Sequence, residues 1–306
     1  MELTINQLTS SFEQEGYIAE QETVVTAYLA LKLQKPLLVE GPPGVGKTEI
    51  AKVLAAVFQT ELIRLQCYEG LDDNKALYEW NYQKQLIKIQ LGQHNRDGQG
   101  QVVEDSLFSE EYLLERPLLK AIRAEKRPVL LIDEIDKVDQ EFEAFLFEVL
   151  SDFQVSIPEW GTLRARQVPI VVLTSNGERE LSDGLKRRCI YLYIDYPTPD
   201  KELRIITAKV PEIGQRLSLE VAKAVNYIRE KLELRKKPSI AETIDWARAL
   251  VFLDADRLTP EVVNQTLNLI FKNKDDIDLF RQDLGPQELV AFLNGTNGAG
   301  KSGGRG

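Results

Sequence analysis

Residues Leu37–Thr48 read LLVEGPPGVGKT, a short apolar run that leads into a glycine-rich turn. The second part, Gly41–Thr48, matches the pattern G-x-x-x-x-G-K-[ST], and the helical segment TEIAKVLAAVF begins at its last residue. Glycines let successive backbone N–H groups surround a phosphate, and the start of a helix adds favourable partial charge. This order of strand, loop and helix therefore predicts a nucleotide-binding loop in an α/β fold.

The residues of this loop have distinct predicted roles. We expect the Lys47 ammonium to reach the β- and γ-phosphate oxygens of ATP, and the Thr48 hydroxyl to ligate Mg²⁺. The predicted nucleotide-binding residues are Gly41, Pro42, Pro43, Gly44, Val45, Gly46, Lys47, Thr48 and Glu49.

A second match to the same pattern occurs in Gly295–Ser302, which reads GTNGAGKS. No β-rich run precedes it, and only four residues follow it, so no helix can supply a dipole. We interpret this segment as part of a flexible tail and not as a nucleotide site.

Short apolar runs alternate with helical segments over the first two thirds of the chain. The predicted strands are KPLLVE, ELIRLQCY, PVLLID, IVVLTSN and CIYLYIDY. Such alternation predicts a mostly parallel sheet with helices on both faces. After Pro197 and Pro199 only helical periodicity remains. We therefore predict an α/β core with N-terminal helices, a small all-helical lid and a flexible Gly-rich tail, with boundaries at 1–196, 197–285 and 286–306.

Two carboxylates end the predicted strand Val129–Asp133, at the edge where ligands bind in such sheets. We expect Asp133 to hold Mg²⁺ through water. Glu134, whose side chain points the other way, is the predicted group that orients and deprotonates the attacking water. The pair is thus a prediction of ATP hydrolysis and not of binding alone.

Asn176 ends the strand IVVLTSN, where a neutral amide can hold the water or the γ-phosphate without adding charge. A turn-forming asparagine before Gly177 is the alternative interpretation. Arg187 and Arg188 precede the last predicted strand. Either arginine can stabilise charge on a transferring phosphoryl group, or the two simply complement the dipole of a solvated helix end.

The composition narrows the class of partner. The formal net charge of −10 disfavours nucleic acid as the main substrate. The two cysteines, Cys67 and Cys189, have no metal-ligand spacing and indicate reduced thiols. No apolar run reaches the roughly 18 to 20 residues of a membrane span, and the N-terminus lacks the pattern of a signal peptide. We therefore expect a cytoplasmic protein.

The order GPPGVGKT, LLIDEID, TSN and LKRRC, followed by a helical domain, resembles an AAA+ ATPase. The segments LIRLQCYEGLDDNKALYEWNYQKQLIKIQL, FSEEYLLERPLLKAI, FEAFLFEVLSDFQVSIP and PSIAETIDWARAL are similar to the MoxR family, in particular its CoxD-like branch. The resemblance implies that Asn176 senses the γ-phosphate and that an arginine acts in a neighbouring subunit. Arg188 matches that finger best, with Arg187 as the alternative.

The resemblance also raises a question about the lid. Many AAA+ lids carry a phosphate-sensing arginine, and the matching segment SIAETIDW has Ala241 in its place. Either the lid makes no such contact here, or Arg248 two turns later takes a different role.

Two insertions fit the resemblance. Tyr78, Trp80 and Tyr82 alternate with the period of a strand, and FQVSIPEWGTLRARQ is interpreted as two strands around a turn at 158–161. In the family such hairpins project toward the pore and the client. The alternative is that these aromatic residues are packed surface.

These features together predict an ATPase that assembles as a ring, most simply a hexamer. The MoxR resemblance implies a chaperone-like role in the maturation of a client protein or its metal cofactor, with a von Willebrand factor A domain protein as partner. The CoxD-like branch implies a molybdenum hydroxylase such as carbon monoxide dehydrogenase as the client. One alternative is a nucleic-acid motor or endonuclease subunit, with Lys84, Lys88, Arg164 and Arg166 on the hairpins. The other is a nucleotide-dependent binding switch that does not hydrolyse ATP.

Overall fold

The computed structural model describes residues 3–94, 109–157 and 161–295. Contacts between residues divide the chain into two compact units, and the main part of the second unit begins at Ile194. The first unit comprises Met1–Glu15, Ala19–Gly41 and Lys47–Tyr193, and the second comprises Gly16–Ile18, Pro42–Gly46 and Ile194–Gly306.

The first unit is built on a five-stranded parallel sheet, which from edge to edge contains Leu62–Gln66 (β2), Val129–Asp133 (β5), Ile170–Ser175 (β8), Leu37–Glu40 (β1) and Ile190–Tyr193 (β9). Every residue of β5 and β8, two of the three inner strands, is buried, so both faces of the sheet are covered. Two small antiparallel pairs, β3–β4 and β6–β7, accompany it. The strands are β1 Leu37–Glu40, β2 Leu62–Gln66, β3 Tyr78–Trp80, β4 Leu113–Glu115, β5 Val129–Asp133, β6 Gln154–Ile157, β7 Gly161–Arg164, β8 Ile170–Ser175 and β9 Ile190–Tyr193.

Helices α3 and α6 pack against β5, and α2 packs against β9. Aliphatic residues that recur at helical spacing explain this, since Ile50, Ala51 and Leu54 on α3 are all but fully buried. The helices of this unit are α1 Ile5–Gln14, α2 Gln21–Leu33, α3 Lys47–Val57, α4 Asp73–Ala76, α5 Tyr82–His94, α6 Pro117–Arg123, α7 Gln140–Asp152 and α8 Asp183–Arg188, with 3₁₀ turns at Glu110–Tyr112 and Ile135–Lys137.

In the second unit, all regular structure among the described residues is helical. Its first helix starts with Thr198 as N-cap and Pro199 in the first turn, the residue types that favour a helix start. The core of this unit surrounds the fully buried Trp246, whose indole N–H donates to the Thr266 hydroxyl over 2.8 Å. The helices are α9 Pro199–Lys209, α10 Gln215–Lys231, α11 Ile240–Phe252, α12 Pro260–Ile270, α13 Lys274–Asp283 and α14 Gly285–Leu293.

A buried ion pair fixes the start of α11. The Arg229 guanidinium donates to both carboxylate oxygens of Glu202, at 2.6 and 2.9 Å, and its Nε donates to the carbonyl of Pro238 at 2.6 Å. The Thr243 hydroxyl donates to the same carboxylate at 2.7 Å. Breaking one partner of a buried pair leaves the other charge uncompensated, so these bonds hold α9, α10 and α11 together.

Two expectations need correction, and a third is confirmed. The flexible tail was expected from residue 286, but Gly285–Leu293 form a helix whose Leu289 is buried in the core of the second unit. Tyr78 and Trp80 do lie on a strand, whereas Tyr82 begins helix α5, so the alternating pattern does not extend to it. The strands predicted around the 158–161 turn are present as β6 and β7.

Part of the chain lies outside the described residues. The turn residues 158–160 and the last residues, 296–306, which include most of the second pattern match, belong to that part. In the ranges that the structure does describe, no helix has both the length and the apolar character needed to cross a membrane.

Candidate nucleotide site

The phosphate-binding pattern forms the connection between β1 and α3, as expected for a strand, loop and helix. Gly44 and Gly46 have φ angles of +75° and +95°, a region that residues with a Cβ rarely adopt. The loop therefore needs glycine at both positions. Glu49, in the first turn of α3, is half exposed and pairs with Lys52 at 2.5 Å.

Lys47 is the first residue of α3 and is only 6% exposed. Its ammonium donates to the Gly41 carbonyl at 2.7 Å and to the side-chain oxygen of Asn176 at 2.8 Å. Burial lowers the pKa of Lys47, and the carboxylates of Asp136 and Asp133 partly offset this effect. The site thus holds a partly desolvated positive charge at the loop.

Asp133 ends the central strand β5, where it is 4% exposed. One of its carboxylate oxygens accepts from the Thr174 hydroxyl at 2.5 Å and from the Thr48 hydroxyl at 3.2 Å. Mg²⁺ in nucleotide enzymes is held by one or two protein oxygens together with phosphates and water, so a hydroxyl and a carboxylate this close fit that ion. Among the described residues no cluster of three or more ligating side chains suggests a different metal site.

Glu134 follows Asp133 directly and has a φ of +57°, in the left-handed region. Its N–H donates to the Thr174 hydroxyl at 2.9 Å, which helps to hold this unusual backbone conformation. The turn directs Glu134 away from the strand, and its carboxylate accepts a 2.9 Å hydrogen bond from the Gln66 amide.

Gln66 and Arg64 were not identified from the sequence. Both lie on β2, which pairs with β5 so that Gln66 is opposite Asp133. Arg64 forms an ion pair with the second carboxylate oxygen of Asp133. The signal was available in LIRLQ, where polar Arg64 and Gln66 alternate with buried Ile63 and Leu65 beside the acidic strand end.

Asp136 is a second residue that the sequence argument passed over, although it lies in the quoted segment LLIDEID. It is 4% exposed, and one carboxylate oxygen accepts from the backbone N–H groups of Asn176 at 3.1 Å and Glu178 at 3.0 Å. Its other oxygen is buried and has no hydrogen-bond partner in the described residues. Asp136 therefore fixes the backbone that presents Asn176 to Lys47.

The two candidate finger arginines lie at the end of α8 and differ in their surroundings. The Arg188 guanidinium donates to the Ser151 hydroxyl at 2.6 Å and lies 3.4 Å from the centre of the Phe147 ring. Arg187 is exposed and makes no hydrogen bond or ion pair within the described ranges. Neither arginine bonds to Lys47 or Asp133 in that part of the chain, so the structure does not bring them into this chain's own site.

The segment matched to the lid sensor begins α11. Residues 42–46 group with the second unit, and within it a Cβ on Gly44 would lie 2.3 Å from the Ser239 hydroxyl and 3.8 Å from the Ala241 side chain. Residue 44 must therefore be glycine both because of its positive φ angle and because a Cβ would collide with Ser239. Arg248 is exposed on the same helix and lies 3.9 Å from the Asp245 carboxylate.

Residues 36–189 match the model of the AAA domain family, dynein-related subfamily. The chain belongs to this AAA family. The matched range contains the phosphate-binding loop, Asp133, Glu134, Asn176 and both arginines, so the candidate site lies wholly within the AAA domain.

Two curated relatives of the AAA protein differ in how much of the chain they match. An uncharacterized protein of Staphylococcus haemolyticus is 26% identical over 271 residues, which cover 85% of this chain and 93% of the relative. The chaperone protein ClpB of Bacillus cereus is 28% identical over 149 residues, which cover 48% of this chain and 14% of ClpB. Similarity to ClpB is therefore restricted to about one domain.

Among solved structures, the AAA protein is similar to the Thermotoga maritima RuvB Holliday junction branch migration motor. The TM-score is 0.50 at 20% identity, and the match covers 90% of this chain and 82% of RuvB. At that identity the likeness establishes the P-loop AAA+ fold with its helical C-terminal region.

Proposed function

We propose that the protein is an ATP-hydrolysing AAA+ ATPase of the MoxR type that remodels a client protein. The observation that carries this proposal is the 3.2 Å contact between the Thr48 hydroxyl and the Asp133 carboxylate. The two residues are 85 positions apart, and folding brings together the hydroxyl and the carboxylate that the sequence assigned to Mg²⁺.

The chain's own residues account for nucleotide binding and for activation of the attacking water. Lys47 and the loop hold the β- and γ-phosphates, and Thr48 with Asp133 would hold Mg²⁺, which neutralises phosphate charge when bound. Glu134 orients a water molecule in line with the γ-phosphate and accepts its proton. Asn176, bonded to Lys47, is placed to hold the γ-phosphate or the attacking water. Positioning and charge stabilisation supply most of the acceleration.

An arginine from a neighbouring subunit would complete this site in a ring, most simply a hexamer. Its positive charge would stabilise the phosphoryl group during transfer. Arg188 matches the family motif best, but Ser151 and Phe147 hold its side chain. The exposed Arg187 is free to extend across an interface, which makes it an equal candidate.

The client is proposed from the MoxR resemblance, which spans most of residues 15–255. It supports a role in maturing a protein or its metal cofactor together with a von Willebrand factor A domain protein, in the CoxD-like case at a molybdenum hydroxylase. Similarity to the chaperone ClpB supports a remodelling role in general terms. The two buried free thiols suit a reducing, cytoplasmic compartment.

A nucleic-acid motor is the weaker alternative, although the AAA+ fold is shared with RuvB. Of the basic residues on the insertions, Lys88 pairs with Glu111 at 2.9 Å and Arg166 lies 3.8 Å from the Glu125 carboxylate. The net charge of −10 further disfavours a partner that is bound by phosphate neutralisation.

A binding switch without hydrolysis is favoured by one observation, the hydrogen bond from Gln66 to Glu134. A Glu134 side chain that remained on Gln66 could not reach the attacking water. The ATPase proposal therefore requires that this bond breaks in the active state.

Steady-state phosphate release per subunit, measured with saturating Mg-ATP over a wide range of protein concentration, tests the proposal. We expect a specific rate that rises and then levels as subunits assemble. Lys47→Ala should weaken nucleotide binding, and Glu134→Gln should bind ATP with turnover lowered by roughly 100-fold or more. ATP that binds but is never turned over, even with a von Willebrand factor A partner, would support the switch instead.

A further inference from the structure

Arg64 takes up the oxygen of Asp133 that is not bonded to Thr48 of the phosphate-binding loop. The arginine is on β2 with a side chain that is 54% exposed, whereas the Asp133 side chain is 5% exposed. Their ion pair therefore joins a half-exposed cation to a buried acceptor at the strand end.

The other carboxylate oxygen of Asp133, Oδ1, already accepts two hydrogen bonds. They come from the Thr174 hydroxyl at 2.5 Å and from the Thr48 hydroxyl at 3.2 Å. Oδ2 is then the oxygen best able to hold a further cation or its bound water, and the Arg64 guanidinium is hydrogen-bonded to that atom.

The same guanidinium connects Asp133 to Glu134 through one intermediary. Arg64 donates to the Gln66 side-chain oxygen at 2.5 Å, and the Gln66 amide donates to Glu134 at 2.9 Å. Arg64 thereby orients the Gln66 amide, because an oxygen turned toward Arg64 turns the NH₂ group toward Glu134.

We propose that Arg64 is an internal competitor for Mg²⁺ at Asp133, and that its displacement loosens the hold of Gln66 on Glu134. The inference rests on the proposed nucleotide site. A monovalent and a divalent cation beside one carboxylate repel each other, and a half-exposed arginine can move to solvent at little cost. In the metal-free state Arg64 neutralises Asp133. In the loaded state it leaves, Gln66 loses an orienting partner, and the catalytic carboxylate becomes free.

Arg64 is a positioning residue in this scheme, so its test must measure the metal and not only turnover. Mn²⁺, a paramagnetic substitute for Mg²⁺, is titrated into the full-length protein with bound ADP and followed by electron paramagnetic resonance. Arg64→Gln should raise the Mn²⁺ affinity by about tenfold, since it removes a nearby positive charge. Arg64→Lys keeps the charge and should stay close to wild type.

Arg166→Gln is the matched control. Arg166 is also exposed, belongs to the same unit and lies 3.8 Å from an exposed Glu125 carboxylate, so this variant makes the same change in net charge. It should leave the Mn²⁺ affinity unchanged. An equal gain in Mn²⁺ affinity in Arg64→Gln and Arg166→Gln would show that the effect comes from the net charge of the protein. That result would overturn the proposal.

A second readout measures the same metal effect during turnover. The Mg²⁺ concentration that gives half-maximal phosphate release should fall in Arg64→Gln by a factor similar to the gain in Mn²⁺ affinity. Unchanged or weaker Mn²⁺ binding in Arg64→Gln, with wild type binding ADP and Mn²⁺ normally, would refute the role of Arg64 alone. A wild-type protein that bound neither ADP nor Mn²⁺ would instead refute the nucleotide site, and this inference with it.

Discussion

The Lys47 ammonium donates a 2.8 Å hydrogen bond to the side-chain oxygen of Asn176, which lies 129 residues further along the chain. Neighbouring parallel strands bring them together, since β1 precedes Lys47 and β8 precedes Asn176. A γ-phosphate that approaches the ammonium must also meet the asparagine amide. The contact thus ties the phosphate-binding lysine to the residue expected to sense the phosphate.

Asn176→Ala should lower phosphate release by about 100-fold, the usual effect of removing one aligned donor at a transition state. ADP affinity should change little, because ADP has no γ-phosphate for Asn176 to contact. Turnover by phosphate release and ADP binding by calorimetry measure the two effects. Asn74→Ala, at an exposed position of the same unit, is the control. Equal losses of ADP affinity and turnover would show that Asn176 only positions the Lys47 side chain and does not contact the γ-phosphate.

Asp136→Ala should lower the free energy of unfolding by about 2 kcal/mol or more, since it leaves two backbone N–H groups without their charged acceptor. Turnover should fall as well, because those N–H groups belong to Asn176 and to Glu178. Asp136→Asn retains an acceptor oxygen and should lose less stability. Urea unfolding and phosphate release measure the two quantities, and an Asp136→Ala protein as stable as wild type would contradict the assignment.

The central elements of the site were predictable from sequence because each is tied to the carboxyl end of a strand. Lys47 begins the helix after β1, Asp133 ends β5 and Asn176 directly follows β8, and parallel strands bring their carboxyl ends to one edge. Arg64 and Gln66 lie within β2, so identifying them requires knowing that β2 pairs with β5 and in which register. A shift of one residue would have placed buried Ile63 and Leu65 there instead.

Other errors arose from local patterns that tertiary packing overrode. The alternation of Tyr78, Trp80 and Tyr82 favoured a strand, but only the first two residues pair with β4, and Tyr82 starts a helix. A flexible tail was predicted from residue 286 because the last stretch of the chain is rich in glycine. Gly285 and Pro286 instead begin α14, where proline suits the first turn and Leu289 provides the buried contact.

The finger arginine can be assigned by mixing subunits. Glu134→Gln subunits cannot hydrolyse ATP, but they can still supply an arginine to a neighbour's site. A subunit that lacks the finger arginine keeps an intact nucleotide site, which a neighbour's arginine can complete. Mixing Glu134→Gln with Arg187→Ala should restore part of the turnover if Arg187 acts in trans, and the same test applies to Arg188→Ala. Arg188→Ala should in addition lower stability by about 1 kcal/mol, through loss of its contacts with Ser151 and Phe147. Recovery in neither mixture would contradict an arginine finger at α8.

Lys47 should make stability depend on pH. Burial lowers its pKa in the folded protein below the ordinary 10.5, so the unfolded chain keeps the proton to a higher pH. Between the folded pKa and 10.5 the unfolded state binds more protons, and the contribution of Lys47 to the free energy of unfolding rises with pH. Wild type should therefore gain stability relative to Lys47→Met as pH approaches 10.5. Equal pH profiles for wild type and Lys47→Met would be inconsistent with a lowered pKa.

Cys67 offers a probe of the site itself, because its backbone N–H donates to the Asp133 carbonyl at 2.8 Å. Burial, helped by the nearby carboxylates of Asp133 and Asp136, raises the pKa of the Cys67 thiol to about 12. At about pH 8 almost none of this thiol is thiolate, so the folded protein should resist iodoacetamide, whereas the unfolded chain reacts readily. In a Cys189→Ser background, which leaves Cys67 as the single thiol, Mg-ADP should slow labelling further by stabilising the strand end. Fast labelling of folded Cys67, or labelling indifferent to Mg-ADP, would mean that nucleotide binding is not coupled to β5.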